Sequence, residues 1–156
     1  MLTLPKQHLS TVGSSLVSFI FVCSTYSSLA HADVSLAAIG MGHGARSAES
    51  FRQFQATANR CNASGERFRI DTNCPSACTM FLRVRNVCIG PGATLAFHGG
   101  GRPGAGIDPY YTGQMLNSYK PSLRRYLTTN RYMETFEFHT ISGEEMTKRS
   151  GYPACP

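Results

Sequence analysis

Apolar and polar residues alternate along this chain in short blocks, and the period of each block predicts a strand or a helix. Residues 67–71 (Arg-Phe-Arg-Ile-Asp) alternate with the period of two that is typical of a half-buried strand. Short continuous apolar blocks bounded by glycine or proline predict further, more fully buried strands. These blocks lie at 34–39, 87–89 and 93–97, and the turn Gly90-Pro91-Gly92 separates the last two.

Helical spacing recurs between these strands. Phe51, Phe54 and Ala58 fall on one face of a predicted helix, which Ser47 caps and which ends at the polar stretch 62–65. Three further helices are predicted over 79–84, over 110–126 with an interruption at Pro121, and from the capping box Ser142-Gly143-Glu144-Glu145 to Gly151.

The order of these elements favours one α/β domain with a largely parallel sheet, because strands and helices alternate along residues 33–156. In such sheets the chemically active side chains collect where strands end. Ser76 lies between a predicted strand and a helix, and His98 follows the strand at 93–97. Both residues are therefore candidates for an active site.

Residues 1–32 have the organisation of a secretory signal peptide that is removed from the mature chain. Lys6 provides a positive charge, the apolar run 16–23 is too short to span a bilayer, and Ala30-His31-Ala32 is the small-x-small pattern that signal peptidase recognises. A membrane anchor would need about 20 unbroken apolar residues, and serines interrupt this run. We therefore expect residues 33–156 to fold in the periplasm or as a secreted protein, without stable membrane insertion.

The charge of the predicted mature chain is basic. It carries 14 Lys and Arg residues against 9 Asp and Glu, which gives a net charge of +5. The arginines are scattered and are not interleaved with aromatic residues. A solvated basic exterior is therefore favoured over a nucleic-acid site.

Five cysteines follow residue 32, and an oxidising compartment favours their use in structural disulfides. Five is an odd number, so at least one cysteine is left over. Helices of an alternating α/β chain run back from the edge where strands end, which places Cys61 and Cys88 far from Ser76. We therefore predict one disulfide between Cys61 and Cys88, and another between Cys155 and either Cys74 or Cys78.

A metal site is the alternative use of these cysteines. Cys74, Cys78 and His98 offer three ligands of the kind that zinc binds. The CxxxC spacing is not specific, and oxidising conditions disfavour free thiolates. We expect neither a metal nor another cofactor.

A serine nucleophile needs a base within hydrogen-bonding distance, a group that orients the base, and amide donors for the oxyanion. Ser76 is placed on a tight turn, and the amide of Ala77 lies at the N-terminus of the following helix, where the dipole favours negative charge. A serine in this position is more often only a helix cap. The residues by themselves leave both interpretations open.

Two segments of the chain resemble the centre of Clp-type serine peptidases, and most closely their exported relatives, the periplasmic Clp-protease-like proteins. They are 74–82 (Cys-Pro-Ser-Ala-Cys-Thr-Met-Phe-Leu) and 85–98 (Arg-Asn-Val-Cys-Ile-Gly-Pro-Gly-Ala-Thr-Leu-Ala-Phe-His). The resemblance implies a Clp/crotonase-like fold of repeated strand–helix units around a mainly parallel sheet, here shortened and stapled by disulfides. It also implies that Ser76 is the nucleophile and His98 the general base.

The resemblance extends more weakly towards the N-terminus. The turn 42–44 (Gly-His-Gly) is similar to the glycine turn whose amide supplies half of the family's oxyanion hole. This implies that the amide of Gly44, or of Gly42 in its place, acts together with that of Ala77.

A similar extension points to the acidic member of the triad. The stretch 141–146 (Ile-Ser-Gly-Glu-Glu-Met) is similar to the family's closing helix, and the family's acidic residue lies eight positions before that serine, here at Glu134. The family usually has Asp in this place, and Glu137 is a competing candidate.

The function implied by the resemblance is that of an extracytoplasmic serine hydrolase acting on a peptide or another small acyl substrate. The competing interpretation is a catalytically inactive exported protein that uses the same fold for binding or assembly. Related folds often assemble into rings or trimers, so a homo-oligomer is compatible with both.

Overall fold

The structure is a computed structural model that describes residues 33–36 and 48–156. The predicted signal peptide 1–32, Ser47 and the turn 42–44 lie outside the described residues, as does most of the block 34–39. The described strands are β1 Val34–Ser35, β2 Phe68–Ile70, β3 Asn73–Pro75, β4 Val87–Ile89, β5 Thr94–Phe97, β6 Gly101–Arg102, β7 Gly106–Ile107 and β8 His139–Ser142. The helices are α1 Ala48–Ser64, a 3₁₀ helix Ser76–Arg83, α2 Pro109–Leu116, α3 Pro121–Thr129 and α4 Gly143–Ser150.

The strands confirm a mixed α/β domain with a parallel component. The first sheet has the order β1-β2-β4, and both of its pairings are parallel. The second sheet has the order β3-β5-β8, in which β3 and β5 are parallel and β8 is antiparallel. Strands β6 and β7 form a small hairpin over residues 101–107, most of it in the glycine-rich segment 99–106.

The two larger sheets are joined twice by the chain itself. Strand β2 continues into β3 across residues 71 and 72, and β4 continues into β5 across the turn 90–93. A hydrogen bond from the Gly90 amide to the Ile70 carbonyl, 2.8 Å long, links the two crossings. The chain therefore crosses twice from the first sheet to the second, from β2 into β3 and from β4 into β5, and these two crossings run side by side to one edge.

The core lies between α1, the 3₁₀ helix and the first sheet. Phe51, Phe54 and Ala58 are buried, which confirms the helical face predicted for α1. The ring of Phe81 stacks on that of Phe68 with centroids 4.4 Å apart, and it also meets the ring of Phe54 at 5.5 Å. Aromatic packing of this kind fixes the 3₁₀ helix against both the sheet and α1.

The helical region after residue 108 is divided as the sequence predicts, but its bounds differ from 110–126, because α2 ends at Leu116 and α3 continues to Thr129. Pro121 does interrupt the helical region, because it begins α3 in the first-turn position where its missing N–H is not needed. The Ser142 side chain accepts a hydrogen bond from the Glu145 amide at the start of α4, which confirms the cap at that end. Gly151 ends α4 with φ +70°.

The predicted disulfide pairing is wrong. The structure joins Cys74 to Cys78 and Cys88 to Cys155, and it leaves Cys61 as a buried free thiol.

The strand pleat explains the error. Val87 and Ile89 belong to the main core, so Cys88 between them points to the opposite face of the sheet. Cys61 lies in the core and cannot reach that face. On the outer face, β4 meets the C-terminal segment, where Ile89 forms a parallel bridge with Ala154 and places Cys155 beside Cys88.

The Cys74–Cys78 disulfide also bears on the zinc alternative, because two of its three proposed ligands are joined to each other. The two disulfides are consistent with folding in an oxidising compartment. Among the described residues, no helix has the length and apolar character needed to cross a bilayer.

Candidate functional site

Ser76 occupies a strained backbone conformation at the turn from β3 into the 3₁₀ helix. Its φ is +54°, a region that residues with a Cβ adopt rarely and that persists only where the surroundings impose it. Pro75 before it is extended, with φ −88° and ψ 154°. A serine at positive φ on a sharp strand-to-helix turn is the backbone arrangement that presents a nucleophilic hydroxyl in many hydrolases.

Two features on either side of Ser76 hold this turn. The Cys74–Cys78 disulfide closes the turn around the serine, and both cysteines are fully buried. Thr79 donates a hydrogen bond of 2.6 Å from its Oγ1 to the carbonyl of Ser76. The first peptide of the 3₁₀ helix is thus fixed both covalently and by a hydrogen bond.

Tyr119 supports Thr79 in turn. Its hydroxyl lies 2.5 Å from Thr79 Oγ1, and because the threonine proton is directed to Ser76, the tyrosine is the donor. Burial raises the pKa of the Tyr119 phenol, so it keeps that proton. The Tyr119 ring also packs edge-on against Phe97, with centroids 5.5 Å apart. Tyr119 therefore touches both the support of Ser76 and the residue before His98.

The register of the second sheet brings Ser76 and His98 to one edge. Pro75 pairs with Ala96 in the parallel β3–β5 ladder, so Ser76 and His98 each follow the end of one of two neighbouring strands. Such strands lie about 4.8 Å apart. None of the described hydrogen bonds joins the two side chains.

The imidazole of His98 is oriented by a backbone carbonyl. Its Nδ1 lies 2.7 Å from the carbonyl oxygen of Gly99. A carbonyl only accepts, so Nδ1 carries the proton and Nε2 keeps its lone pair. This tautomer is the one that a general base acting through Nε2 requires.

The surroundings of His98 are apolar. The ring of Phe138 meets the imidazole edge-on with centroids 4.7 Å apart, and Phe136 lies farther away at 6.2 Å. Burial lowers the pKa of His98 below its ordinary value of 6.5, against a smaller opposing effect of the Gly99 hydrogen bond. His98 is therefore neutral near pH 7 and able to accept a proton.

Glu134 is not brought to His98. Its carboxylate binds Arg131 at 2.7 Å, the glutamate side chain is 53% exposed, and none of the described hydrogen bonds joins it to the imidazole. Glu137 is also exposed. Where a triad acid would accept from Nδ1, the structure has the Gly99 carbonyl.

Of the candidate oxyanion donors, the structure describes Ala77. This residue is buried in the first turn of the 3₁₀ helix, where amide groups have no acceptor within the helix. Gly44 and Gly42, the candidates for the second donor, lie outside the described residues.

The glycines after His98 are required by close packing. A Cβ at Gly99 would lie 2.6 Å from the Met133 carbonyl, and one at Gly100 would lie 2.6 Å from Tyr111. The start of the segment 99–106 is therefore closely packed and holds the Gly99 carbonyl in place, whereas residues 102–106 are exposed.

Three supports of the site escape sequence reasoning. The Gly99 carbonyl belongs to the backbone and has no residue signature. Thr79 and Tyr119 lie 40 residues apart, and no periodic pattern connects them. The positive φ of Ser76 has no signature either, since serine is also the commonest kind of helix cap.

The chain matches no protein-family model, no curated protein and no solved structure.

Proposed function

We propose that this chain is an extracytoplasmic serine hydrolase of the Clp-like type, which cleaves a peptide or another acyl bond. The observation that carries the proposal is the positive φ of Ser76 at the strand-to-helix turn. A plain helix cap does not need this strained conformation, because capping serines have extended backbone. Strain of this kind is characteristic of sites where a side chain must be presented to a substrate.

In the proposed reaction, Ser76 Oγ attacks the carbonyl carbon of the substrate while His98 Nε2 takes the hydroxyl proton. The amide of Ala77, with that of Gly44, stabilises the oxyanion of the tetrahedral intermediate. His98 then returns the proton to the leaving amine or alcohol as the acyl bond breaks. A water molecule, deprotonated by the same imidazole, then attacks the acyl carbon, and the imidazolium returns this proton to Ser76 Oγ as the bond between the acyl group and the serine breaks.

The third role is assigned to the Gly99 carbonyl, which holds the imidazole in the required tautomer. Glu134 can act as the acidic member of the triad only if its carboxylate leaves Arg131. Glu134→Gln distinguishes the two, because it should leave the reaction rate nearly unchanged if the carbonyl acts alone.

The Clp/crotonase-like fold is part of this proposal. In its support, two successive segments each run from the first sheet into the second and then into helix, β2-β3 into the 3₁₀ helix and β4-β5 onward to α2. A repeated unit of this kind is what the resemblance leads us to expect. The export of the chain is likewise supported by its two disulfides.

The test is covalent labelling by a fluorophosphonate probe, which reacts with activated serines. We expect the wild type to be labelled and Ser76→Ala to be unlabelled. Ser122→Ala is the matched control, because Ser122 also lies in the first turn of a helix but is not at positive φ. Equal labelling of the wild type and Ser76→Ala would overturn the assignment of the nucleophile.

The second candidate is a catalytically inactive protein that uses the same domain for binding or assembly. It is favoured by the absence of a hydrogen bond between Ser76 and His98 among the described residues, and by the pairing of Glu134 with Arg131. A folded wild-type protein that no fluorophosphonate labels would decide for this candidate.

A further inference from the structure

A second cavity, open to solvent, lies between the end of the 3₁₀ helix, the start of β4 and the segment between α2 and α3. Neither Ser76 nor His98 lines it, although Tyr119, the support of Thr79, does. The volume of the cavity is about 300 Å³. This is the lower end of the range for sites that bind small molecules.

The cavity combines an apolar floor with a basic rim. Its apolar floor is formed by three buried residues, Leu82, Val84 and Val87. Three cationic residues, Arg83, Arg85 and Lys120, also line it. None of the described residues that line the cavity is a carboxylate.

The three cations have no acidic partner in the part of the chain that the structure describes. The ion pairs found there use other basic residues, which lie on α1, on and just before β2, on α4 and in the segment after α3. Like charges that share one cavity repel each other, so their convergence without a carboxylate stabilises a bound anion.

Two of these cations are held in place by backbone carbonyls. Arg85 donates to the carbonyl of Asn62, and Lys120 donates to that of Gly151 while lying over the ring of Tyr152. A guanidinium has five N–H donors and an ammonium three, so each keeps donors for a ligand. Lys120 also precedes the first turn of α3, whose positive dipole end adds to the potential.

We propose that this cavity binds a small organic dianion, namely a phosphate monoester. Its phosphate would be held by Arg83, Arg85 and Lys120, and its organic part would cover the apolar floor. A dianion is favoured over a monocarboxylate because three cations leave more charge to neutralise than one negative charge supplies. Arginine suits this ligand, because its planar fork binds phosphate oxygens in a bidentate manner.

The probe is phenyl phosphate, titrated calorimetrically at low ionic strength, with benzyl alcohol and benzoate as its neutral and monoanionic counterparts. We expect phenyl phosphate to bind, benzoate to bind more weakly and benzyl alcohol not to bind. The affinity should fall as salt is added, because the cations are on the rim.

Arg83→Gln is the test variant, since among the described contacts the Arg83 side chain makes no hydrogen bond or ion pair whose loss would disturb the fold. It should raise the Kd for phenyl phosphate about fivefold or more. Arg52→Gln on α1 removes the same charge outside the cavity and should leave the Kd unchanged.

Three results would overturn the proposal: no binding of phenyl phosphate, equal affinity for benzoate, or equal weakening by Arg83→Gln and Arg52→Gln. The last would mean general attraction to a basic protein. Because Ser76 takes no part in this binding, Ser76→Ala should bind phenyl phosphate as the wild type does.

Discussion

The chemistry of single residues at the candidate site depends on which nitrogen of His98 carries the proton. The Gly99 carbonyl fixes the proton on Nδ1, and the imidazole is half-buried with the ring of Phe138 against it. The first effect selects the tautomer and the second lowers the pKa. The two effects together give a neutral base without an acidic partner.

The lowered pKa of His98 predicts the pH dependence of the reaction. An imidazolium cannot accept the Ser76 proton, so fluorophosphonate labelling should rise with pH through the pKa of His98, with a midpoint below 6.5. Phe138→Ala should move the midpoint upwards, because it exposes the imidazole to water. The measurement is the labelling rate at a series of pH values.

A midpoint above 6.5 in the wild type would contradict this prediction.

The same lowered pKa of His98 also makes the stability of the folded state depend on pH. Because the unfolded chain binds the proton more readily than folded His98 does, the folded state loses stability as the pH falls below 6.5.

At the scale of secondary-structure elements, the 3₁₀ helix is held from three directions. Its Phe81 packs on α1 and β2, its Cys78 is bonded back to β3, and its Thr79 meets Tyr119 from the segment between α2 and α3. Long 3₁₀ helices are uncommon because their hydrogen bonds are poorly aligned. These outside contacts compensate for that weakness in an element of eight residues.

Thr79→Val tests the contact with Tyr119. The substitution keeps the shape of the side chain but removes the hydroxyl bond to the Ser76 carbonyl and leaves the buried Tyr119 hydroxyl without its partner, which should lower the free energy of unfolding by about 1–3 kcal/mol. It should also slow the labelling of Ser76. Chemical denaturation and labelling rates measure the two effects.

Thr128→Val is the matched control for this change. Thr128 is exposed on α3, and its hydroxyl bonds only to carbonyls of its own helix. We expect a change within about 0.5 kcal/mol. Thr79→Ser, which keeps the hydroxyl, should retain most of the labelling rate; equal losses in all three variants would contradict the assigned contact.

At the scale of the whole molecule, the two disulfides constrain the chain over different distances. The Cys74–Cys78 bond spans 4 residues and acts within one turn, whereas Cys88–Cys155 spans 67 residues and ties β4 to the C-terminal segment. A disulfide stabilises mainly by restricting the unfolded chain, and the restriction grows with the length of the closed loop. The longer bond should therefore dominate global stability.

The prediction compares two double variants, Cys88→Ala with Cys155→Ala and Cys74→Ala with Cys78→Ala. The loop-entropy relation gives a loss of about 4 kcal/mol for the first and about 2 kcal/mol for the second. Guanidinium denaturation of oxidised protein measures both. Equal losses in the two double variants would contradict the explanation by loop length. So would a difference in stability between the two variants that remains when both are measured under reducing conditions.

Local signals in the sequence were sufficient for much of the fold. The strand 87–89 is found with the predicted bounds, because an apolar run between polar and glycine-rich neighbours has few alternatives. Helix α4 is specified by the Ser142 cap and by Gly151 at its end. Both signals act within a few residues of the chain.

Long-range relations account for what sequence reasoning missed. Strand β3 consists of Asn73, Cys74 and Pro75, which have no strand pattern and form a strand only because β5 lies beside them. The partner of Cys88 depends on the bridge between Ile89 and Ala154, whose two residues are far apart in the chain. Such pairings are decided by the assembled sheet and not by local propensity.

Cys61 is an intrinsic probe of local opening of the core. In the described chain it is the one cysteine outside a disulfide; it lies in the core on α1 with 3% of its surface exposed, and burial raises the pKa of its thiol. An alkylating dye can reach it only while α1 is detached from the core. The rate of dye incorporation thus counts spontaneous openings of that helix in unmodified protein, with no engineered label required.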